Sequence, residues 1–161
     1  MAPLESLLHL LRAETTGTTI DIPEGECACD LGNGWALVWS EDDEKFDADF
    51  GVLLSRAFPI VTVQIDETAM ISVASFAQGG VMEWGLVHAA PRGHDHLDVF
   101  AGGPQGLDDA IADAKAAQAD DPSADYFFDV PLRFAKEICG FKHDELQNPG
   151  PKYRLIRYRG R

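Results

Sequence analysis

Four short apolar runs follow one another closely in the middle of the chain, and they constrain the fold more than any other feature. The runs are "IVTVQI" at 60–65, "MISVASFA" at 70–77, "VMEWGLVHA" at 81–89 and "HLDVFAG" at 96–102. Parallel neighbours in a sheet need a crossover of a dozen or more residues, and no link between these runs is that long. The runs therefore predict an antiparallel meander.

Helical patterns lie on both sides of this meander. Near the N-terminus, leucines recur at helical spacing, and after Ser40 four acids precede an apolar stripe that ends before Pro59. Farther on, Asp129 is a candidate N-cap and Gly140 a candidate stop for the last helix. We predict four helices, over 3–14, 40–58, 107–119 and 129–140.

Other segments have the features of further strands. "TTIDI" at 18–22 is a short candidate, and "ECACDL" and "WALVWS" flank Gly32-Asn33-Gly34 as in a hairpin. The segment "KYRLIRYR" at 152–159 is strand-like as well. The prediction is an α+β fold with one antiparallel sheet of about 5–7 strands, a meander core and about four helices. We expect a single domain over residues 1–161, with the basic segment 152–161 as a candidate last strand.

The charge of the chain is strongly negative and unevenly distributed. Asp and Glu number 27 against 13 Lys and Arg, a net charge of −14, and five of the basic residues lie among the last ten. Residues 1–151 therefore carry 8 − 27 = −19. Such a body repels nucleic acid and anionic lipid, except through the tail. It indicates either a solvating surface or a surface matched to a basic partner.

The three cysteines and the N-terminus bear on where the chain works. An odd and sparse set, Cys27, Cys29 and Cys139, argues against a secreted disulfide framework. The N-terminal apolar stretch contains His9 and Glu5 and has no basic lead-in, so we interpret it as an amphipathic helix rather than a signal peptide. No run is long enough to span a membrane. We expect a cytoplasmic protein.

The string "GHDHLDVFAGG" at 93–103 is the one candidate metal site. In a strand, His94, His96 and Asp98 would share one face, with Leu97 and Val99 on the other. Two histidines at this spacing can bind one zinc ion. We nevertheless favour a polar outer face of a strand, with Leu97 and Val99 in the core. His88 shares an apolar face with Trp84 and Leu86, which predicts a hydrogen-bonded core histidine.

The string "HDHLD" also resembles the His-x-His-x-Asp-His signature of metallo-β-lactamase-fold hydrolases. In that family the alternating histidines bind one metal and the Asp-His pair binds a second. Here Val99 stands where the final histidine belongs, and after it the chain has only His143. The resemblance implies a metal-dependent hydrolase, but the departure leaves the ligand set incomplete.

Other catalytic motifs are missing from the sequence. It has no G-x-S-x-G nucleophile elbow, no phosphate-binding loop and no dinucleotide fingerprint. Cys27 and Cys29 are too close in sequence for the usual zinc spacing. We assign no catalytic residue and no cofactor, and zinc remains the only metal to consider.

A second resemblance covers the C-terminal part of the chain. The pattern "DYFFDVP", then a helix, then "GFKHD" at 140–144 is similar to one found in a family of small bacterial proteins. The resemblance implies an α+β bacterial domain and carries no assigned activity. The residues that match are Asp125, Tyr126, Phe128, Asp129, Pro131, Gly140, Phe141, His143 and Asp144.

These observations leave three hypotheses for function, and we favour the first over an enzyme. The first is a protein-binding module, with an immunity-type or antitoxin-type inhibitor of a basic partner such as a nuclease as its concrete form. The second is a metal-dependent hydrolase that uses His94 and His96, and the third is a small-ligand-binding protein. We expect a monomer or a homodimer. The candidate interface residues are the acids Asp42, Asp43, Glu44, Asp108 and Asp109.

Overall fold

The structure, a computed structural model, describes residues 4–42, 45–145 and 150–159. These residues form an α+β fold, as predicted, with four α-helices and eight strands in two antiparallel sheets of four. The strand count lies slightly above the predicted range, and the strands divide between two sheets rather than forming one. In chain order the elements are α1 (Leu4–Leu10), β1 (Ala13–Ile20), β2 (Cys27–Asp30), β3 (Ala36–Trp39), α2 (Ala48–Leu54), β4 (Ile60–Asp66), β5 (Ile71–Gln78), β6 (Val81–Ala89), β7 (Asp98–Phe100), α3 (Leu107–Asp120), α4 (Asp129–Cys139) and β8 (Tyr153–Tyr158).

The contacts divide the chain into two compact units. The terminal unit comprises Met1–Lys45 and Cys139–Arg161, and the central unit comprises Phe46–Ile138. Each unit contains one of the sheets. None of the described helices is long and apolar enough to cross a membrane.

The sheet of the terminal unit has the strand order β1-β8-β2-β3. The C-terminal segment thus returns to a sheet, as predicted, and β8 lies between β1 and β2. Leu4 and Leu8 of α1 pack with Ala28 and Ile156 to form an apolar cluster. The stripe of leucines predicted the buried face of this helix correctly.

Helix α1 is shorter than the predicted span of 3–14. It ends at Leu10, and Arg12 takes a left-handed φ of 52° before β1 begins at Ala13. Ala13 pairs with Tyr158 at the end of β8, and Arg159 donates its backbone N–H to the carbonyl of Arg12. Pairing with a strand distant in sequence therefore overrides the local helical pattern, and β1 extends well upstream of the predicted 18–22.

The predicted hairpin around Gly32-Asn33-Gly34 is confirmed, because β2 and β3 pair from Cys27–Trp39 to Asp30–Ala36. Asn33 organises this turn. Its Oδ1 accepts from the Trp35 backbone at 3.1 Å, and its Nδ2 donates to the carbonyl of Cys139 at 2.8 Å. Gly140 follows that carbonyl with φ +75° and ends the last helix, as predicted.

The central unit contains the predicted meander, with strand order β4-β5-β6-β7. Trp84 and Leu86 of β6 lie on one face of this sheet. That face packs against α3 and α4 in a single cluster that includes Ala110, Phe127 and Phe134.

Helix α2 begins later than predicted, at Ala48 rather than after Ser40. Asp47 is its N-cap and accepts the backbone N–H of Phe50 at 2.7 Å, while Phe46 contacts the Phe50 ring. Ser40 instead accepts from the backbone of Asp42 in a turn. The helix stops at Leu54, and Leu53, predicted in the buried stripe, is 54% exposed. The buried residue of this helix is Gly51, where a Cβ would lie 2.6 Å from Thr62 Cγ2.

Candidate functional site

His88 is a fully buried polar residue of the central unit. Its side chain has no solvent exposure, and the register places it opposite Ser72 on β5. Nδ1 lies 2.8 Å from the carbonyl oxygen of His96, and Nε2 lies 3.0 Å from Oδ2 of Asp125. This confirms the prediction of a hydrogen-bonded core histidine.

The partners of His88 fix where its protons lie. A carbonyl oxygen only accepts, so Nδ1 carries a hydrogen and donates it to His96. Nε2 faces a carboxylate oxygen, so one further proton lies between Nε2 and Asp125. The pair is therefore either imidazolium with carboxylate or imidazole with carboxylic acid, and its summed charge is zero in both forms.

Asp125 connects the histidine to the start of α4. While Oδ2 faces His88, Oδ1 accepts the backbone N–H of Phe128 at 3.2 Å. Ser72 Oγ donates to the carbonyl of Phe128 at 2.7 Å. The segment before α4 is thus fixed to β5 and β6 by buried polar contacts. The residue predicted to cap this helix, Asp129, is instead its first residue, and the capping-type bond comes from Asp125.

His96 lies beside this pair, with ring centroids 6.4 Å apart. The backbone N–H of Ala89 donates to His96 Nδ1 at 3.1 Å, so the hydrogen of the neutral ring lies on Nε2. Nε2 is 3.2 Å from Oδ2 of Asp98 but lacks the alignment of a hydrogen bond. Burial raises the pKa of Asp98, but the hydrogen bond and charge of Arg92 outweigh it and hold the pKa below its usual value.

The structure separates the three candidate metal ligands. His96 and Asp98 are neighbours, but Nδ1 of His96 is engaged by a backbone N–H, and His94 is exposed in a turn before β7. Among the described residues, no three His, Cys, Asp or Glu side chains lie close enough together to hold a metal ion.

The prediction that His94 and His96 are solvated residues on the outer face of a strand is wrong. His94 and His96 precede β7 rather than belonging to it, because the strand spans only Asp98–Phe100. The side chain of His96 is only 12% exposed, so it is not a solvated residue of an outer face. Leu97 packs against the core as expected, but Val99 is 44% exposed. Val99 lies opposite Leu86 on the core face, but its place at the margin of the sheet leaves it partly uncovered.

The acids predicted as interface residues fall in different parts of the chain. Asp108 and Asp109 are exposed in the first turn of α3, in the central unit. Asp42 is exposed in the terminal unit. Asp43 and Glu44 lie outside the described residues.

The basic residues of the C-terminal strand are paired within the terminal unit. Arg157 and Arg159 both bind Glu14, at 2.6 and 2.8 Å, and their hydrogen bonds lower the pKa of that carboxyl. Arg154 lies 3.5 Å from Glu5, and Lys152 contacts Asp21. The described cations of this tail therefore all have carboxylate partners.

Cys27 and Cys29 lie on one face of β2 and pack in a cluster with Tyr153 of β8. Both thiols are fully buried and unbonded to each other, and burial raises the pKa of Cys29 to about 12. A thiol with so high a pKa is a weak nucleophile at neutral pH. These cysteines therefore act as small core residues.

The role of Asp125 in the buried site was not predicted from the sequence. Asp125 was noted as part of the C-terminal pattern, but no local signal indicated that it would face His88, 37 positions earlier. The only hint was a histidine on an apolar strand face, which requires a polar partner from elsewhere in the fold.

Comparison with known proteins gives no further guidance. No family model matches the chain, and no curated protein or solved structure matches it. The site must therefore be interpreted from its own chemistry.

Proposed function

We propose that this chain is a small acidic protein-binding module that recognises a basic protein. The observation that supports this most is the charge of the central unit. Its 15 acidic and five basic residues give 5 − 15 = −10. The same unit exposes apolar side chains at the margin of its sheet, where Val99 and Phe100 are 44% and 50% exposed. Exposed apolar residues among like charges are typical of a recognition surface.

The chemistry of the buried histidine favours binding over catalysis. His88 and Asp125 resemble a catalytic pair in composition, but their side chains are only 0% and 5% exposed. A general base must come within hydrogen-bond reach of a substrate. We assign the pair a supporting role, in which it holds the segment before α4 against the sheet.

The concrete form of the proposal is an inhibitor of the immunity or antitoxin type, in a bacterial cytoplasm. A nuclease is a suitable partner, because its cationic surface for nucleic acid would complement the acidic face. The three cysteines are free in this structure, which suits a reducing compartment. The pairing of the cations of β8 within the terminal unit also makes the chain itself a poor binder of nucleic acid.

The test is capture from the source bacterium followed by reconstitution with the purified partner. The immobilised chain should retain a basic protein at about 0.05 M salt and release it near 0.5 M, because salt screens opposite charges. The purified partner should then bind the chain directly, with any nuclease activity inhibited. If no basic protein binds in the reconstituted assay, the proposal is wrong.

Two double variants that remove the same charge distinguish binding by one localised face from binding that depends only on total charge. The double variant Asp108→Asn with Asp109→Asn should weaken binding by about tenfold, a loss of about 1.4 kcal/mol. The control, Asp49→Asn with Asp120→Asn, removes the same charge from exposed positions elsewhere in the central unit. Equal weakening by both pairs would reject a localised face.

A further inference from the structure

The outer side of β7 is an open edge of the central sheet. β7 is the last strand in the order β4-β5-β6-β7, and among the described residues no strand pairs with its other side. An edge strand presents backbone N–H and C=O groups that can pair with another chain. The strand is short, with three residues, and Asp98 is its one charged residue; Val99 and Phe100 place neither lysine nor proline at the edge.

Two exposed side chains border this edge on opposite faces of the sheet. Val99 and Phe100 alternate in direction along the strand, and both are about half exposed. Phe100 lies opposite Gly85, where a Cβ would lie 3.6 Å from the Cβ of Phe100. The missing side chain of Gly85 leaves room for the phenyl ring above β6. An added strand would thus find an apolar contact on each face.

The stretch of chain that contains this edge is acidic. Residues 81–113 include β6, β7 and the first half of α3, and they contain six acids but only one basic residue, Arg92. Arg92 is bound to Asp98. Charge complementarity therefore favours a basic occupant at β7.

We propose that the outer edge of β7 binds an extended basic segment of the partner, which joins the central sheet as an additional strand. The inference rests on the proposed function and specifies how the partner is held. Backbone hydrogen bonds would supply affinity, side chains at Val99 and Phe100 would supply apolar contact, and the acids would select lysine or arginine.

The probe is a fluorescent peptide of alternating lysine and valine, compared with one N-methylated at alternate residues. Both peptides carry the same charge, but methylation removes the N–H groups that strand pairing requires. Val99→Asp is compared with Val63→Asp, since Val63 is 41% exposed on the other edge strand. Binding is measured by fluorescence anisotropy, and amide NMR shifts locate the peptide.

The expected result is that methylation and Val99→Asp each weaken binding by about tenfold or more, while Val63→Asp changes it by less than about twofold. Amide shifts should concentrate at Asp98–Phe100. A second variant, Phe100→Ser, should weaken binding without adding charge. Circular dichroism and urea unfolding confirm that each variant is folded.

Three other outcomes overturn the inference. If both peptides bind alike and salt alone weakens them, the acidic surface binds cations without strand addition, and the proposed function survives. If neither peptide binds and the natural partner is also not retained, both proposals fail together. If the chain forms a dimer that Val99→Asp dissociates, the edge belongs to a second copy.

Discussion

The two units of this chain differ in the burial of their ion pairs, because only the central unit has a fully buried one among the described residues. In the terminal unit the arginines in and just after β8 each contact a carboxylate of β1 or α1, and Glu14 binds Arg157 and Arg159. In the central unit one ionisable pair is fully enclosed, while Asp108 and Asp109 lie exposed without an ion-pair partner among the described residues. An ion pair near water contributes little to the free energy of unfolding. Removing one partner of a buried pair is strongly destabilising, because the other partner is left buried and unpaired. The comparison teaches that total charge does not reveal which acids stabilise the fold and which are available for binding.

The largest expected effect is on the buried pair. Asp125→Ala leaves His88 without the partner of Nε2 and Phe128 without its acceptor, and should destabilise the protein by about 3 kcal/mol. Asp125→Asn should cost only about 1 kcal/mol, because the amide can accept from Phe128 and donate to His88. Urea unfolding, followed through the fluorescence of buried Trp84, measures both.

The Asp125→Asn variant also tests whether His88 is an imidazolium or a neutral imidazole. If Asp125→Asn were as damaging as Asp125→Ala, the carboxylate charge itself would be required. The site would then hold an imidazolium, because a neutral ring would accept the amide hydrogen.

A smaller loss is expected at the end of α4, in the terminal unit. Gly140→Ala places a Cβ at φ +75° and 2.7 Å from Asn33 Nδ2, and should cost about 2 kcal/mol. Gly17→Ala is the control, since Gly17 has φ +87° but nothing within 4 Å of the added carbon. Gly17→Ala should lower the free energy of unfolding by only about 1 kcal/mol, which is the cost of a left-handed backbone for alanine. Equal losses in thermal or urea unfolding would show that the contact with Asn33 is unimportant.

The smallest effect is expected at the exposed pairs of β8. The hydrogen bonds from Arg157 and then Arg159 lower the pKa of Glu14 in the folded chain. A lowered pKa gives stability that is present above the unfolded pKa and lost as pH falls through the folded pKa. Glu14→Gln should therefore be slightly less stable than the natural chain near pH 7 and indistinguishable from it near pH 2. Stability curves across this range that differ by a constant amount would contradict the assignment.

Much of the fold could be predicted because its signals are local. Short links between apolar runs predicted the meander, Gly32-Asn33-Gly34 predicted the hairpin, and the spacing of Leu4 and Leu8 predicted the buried face of α1. One error arose where a distant contact decides, and another where a local cap at a different residue decides. Pairing with β8 extends β1 and shortens α1, and Asp47 with Phe46 displaces the start of α2 from Ser40.

The candidate site was harder to predict for the same reason. The burial of His88 follows from alternation in its strand, but Asp125 reaches it only through the packing of α4. The prediction that His94 and His96 share one face depends on a strand that includes both residues. In the structure the strand begins at Asp98, so the two rings have different surroundings.

Native mass spectrometry of the untagged chain, purified gently from the cells that produce it, tests the central claim most directly. We expect a complex of the chain with a basic polypeptide, which dissociates as salt is raised and is absent for Asp108→Asn with Asp109→Asn. A chain that carries only a zinc-sized increment, lost on His96→Ala, would contradict the account and support a metal-dependent hydrolase.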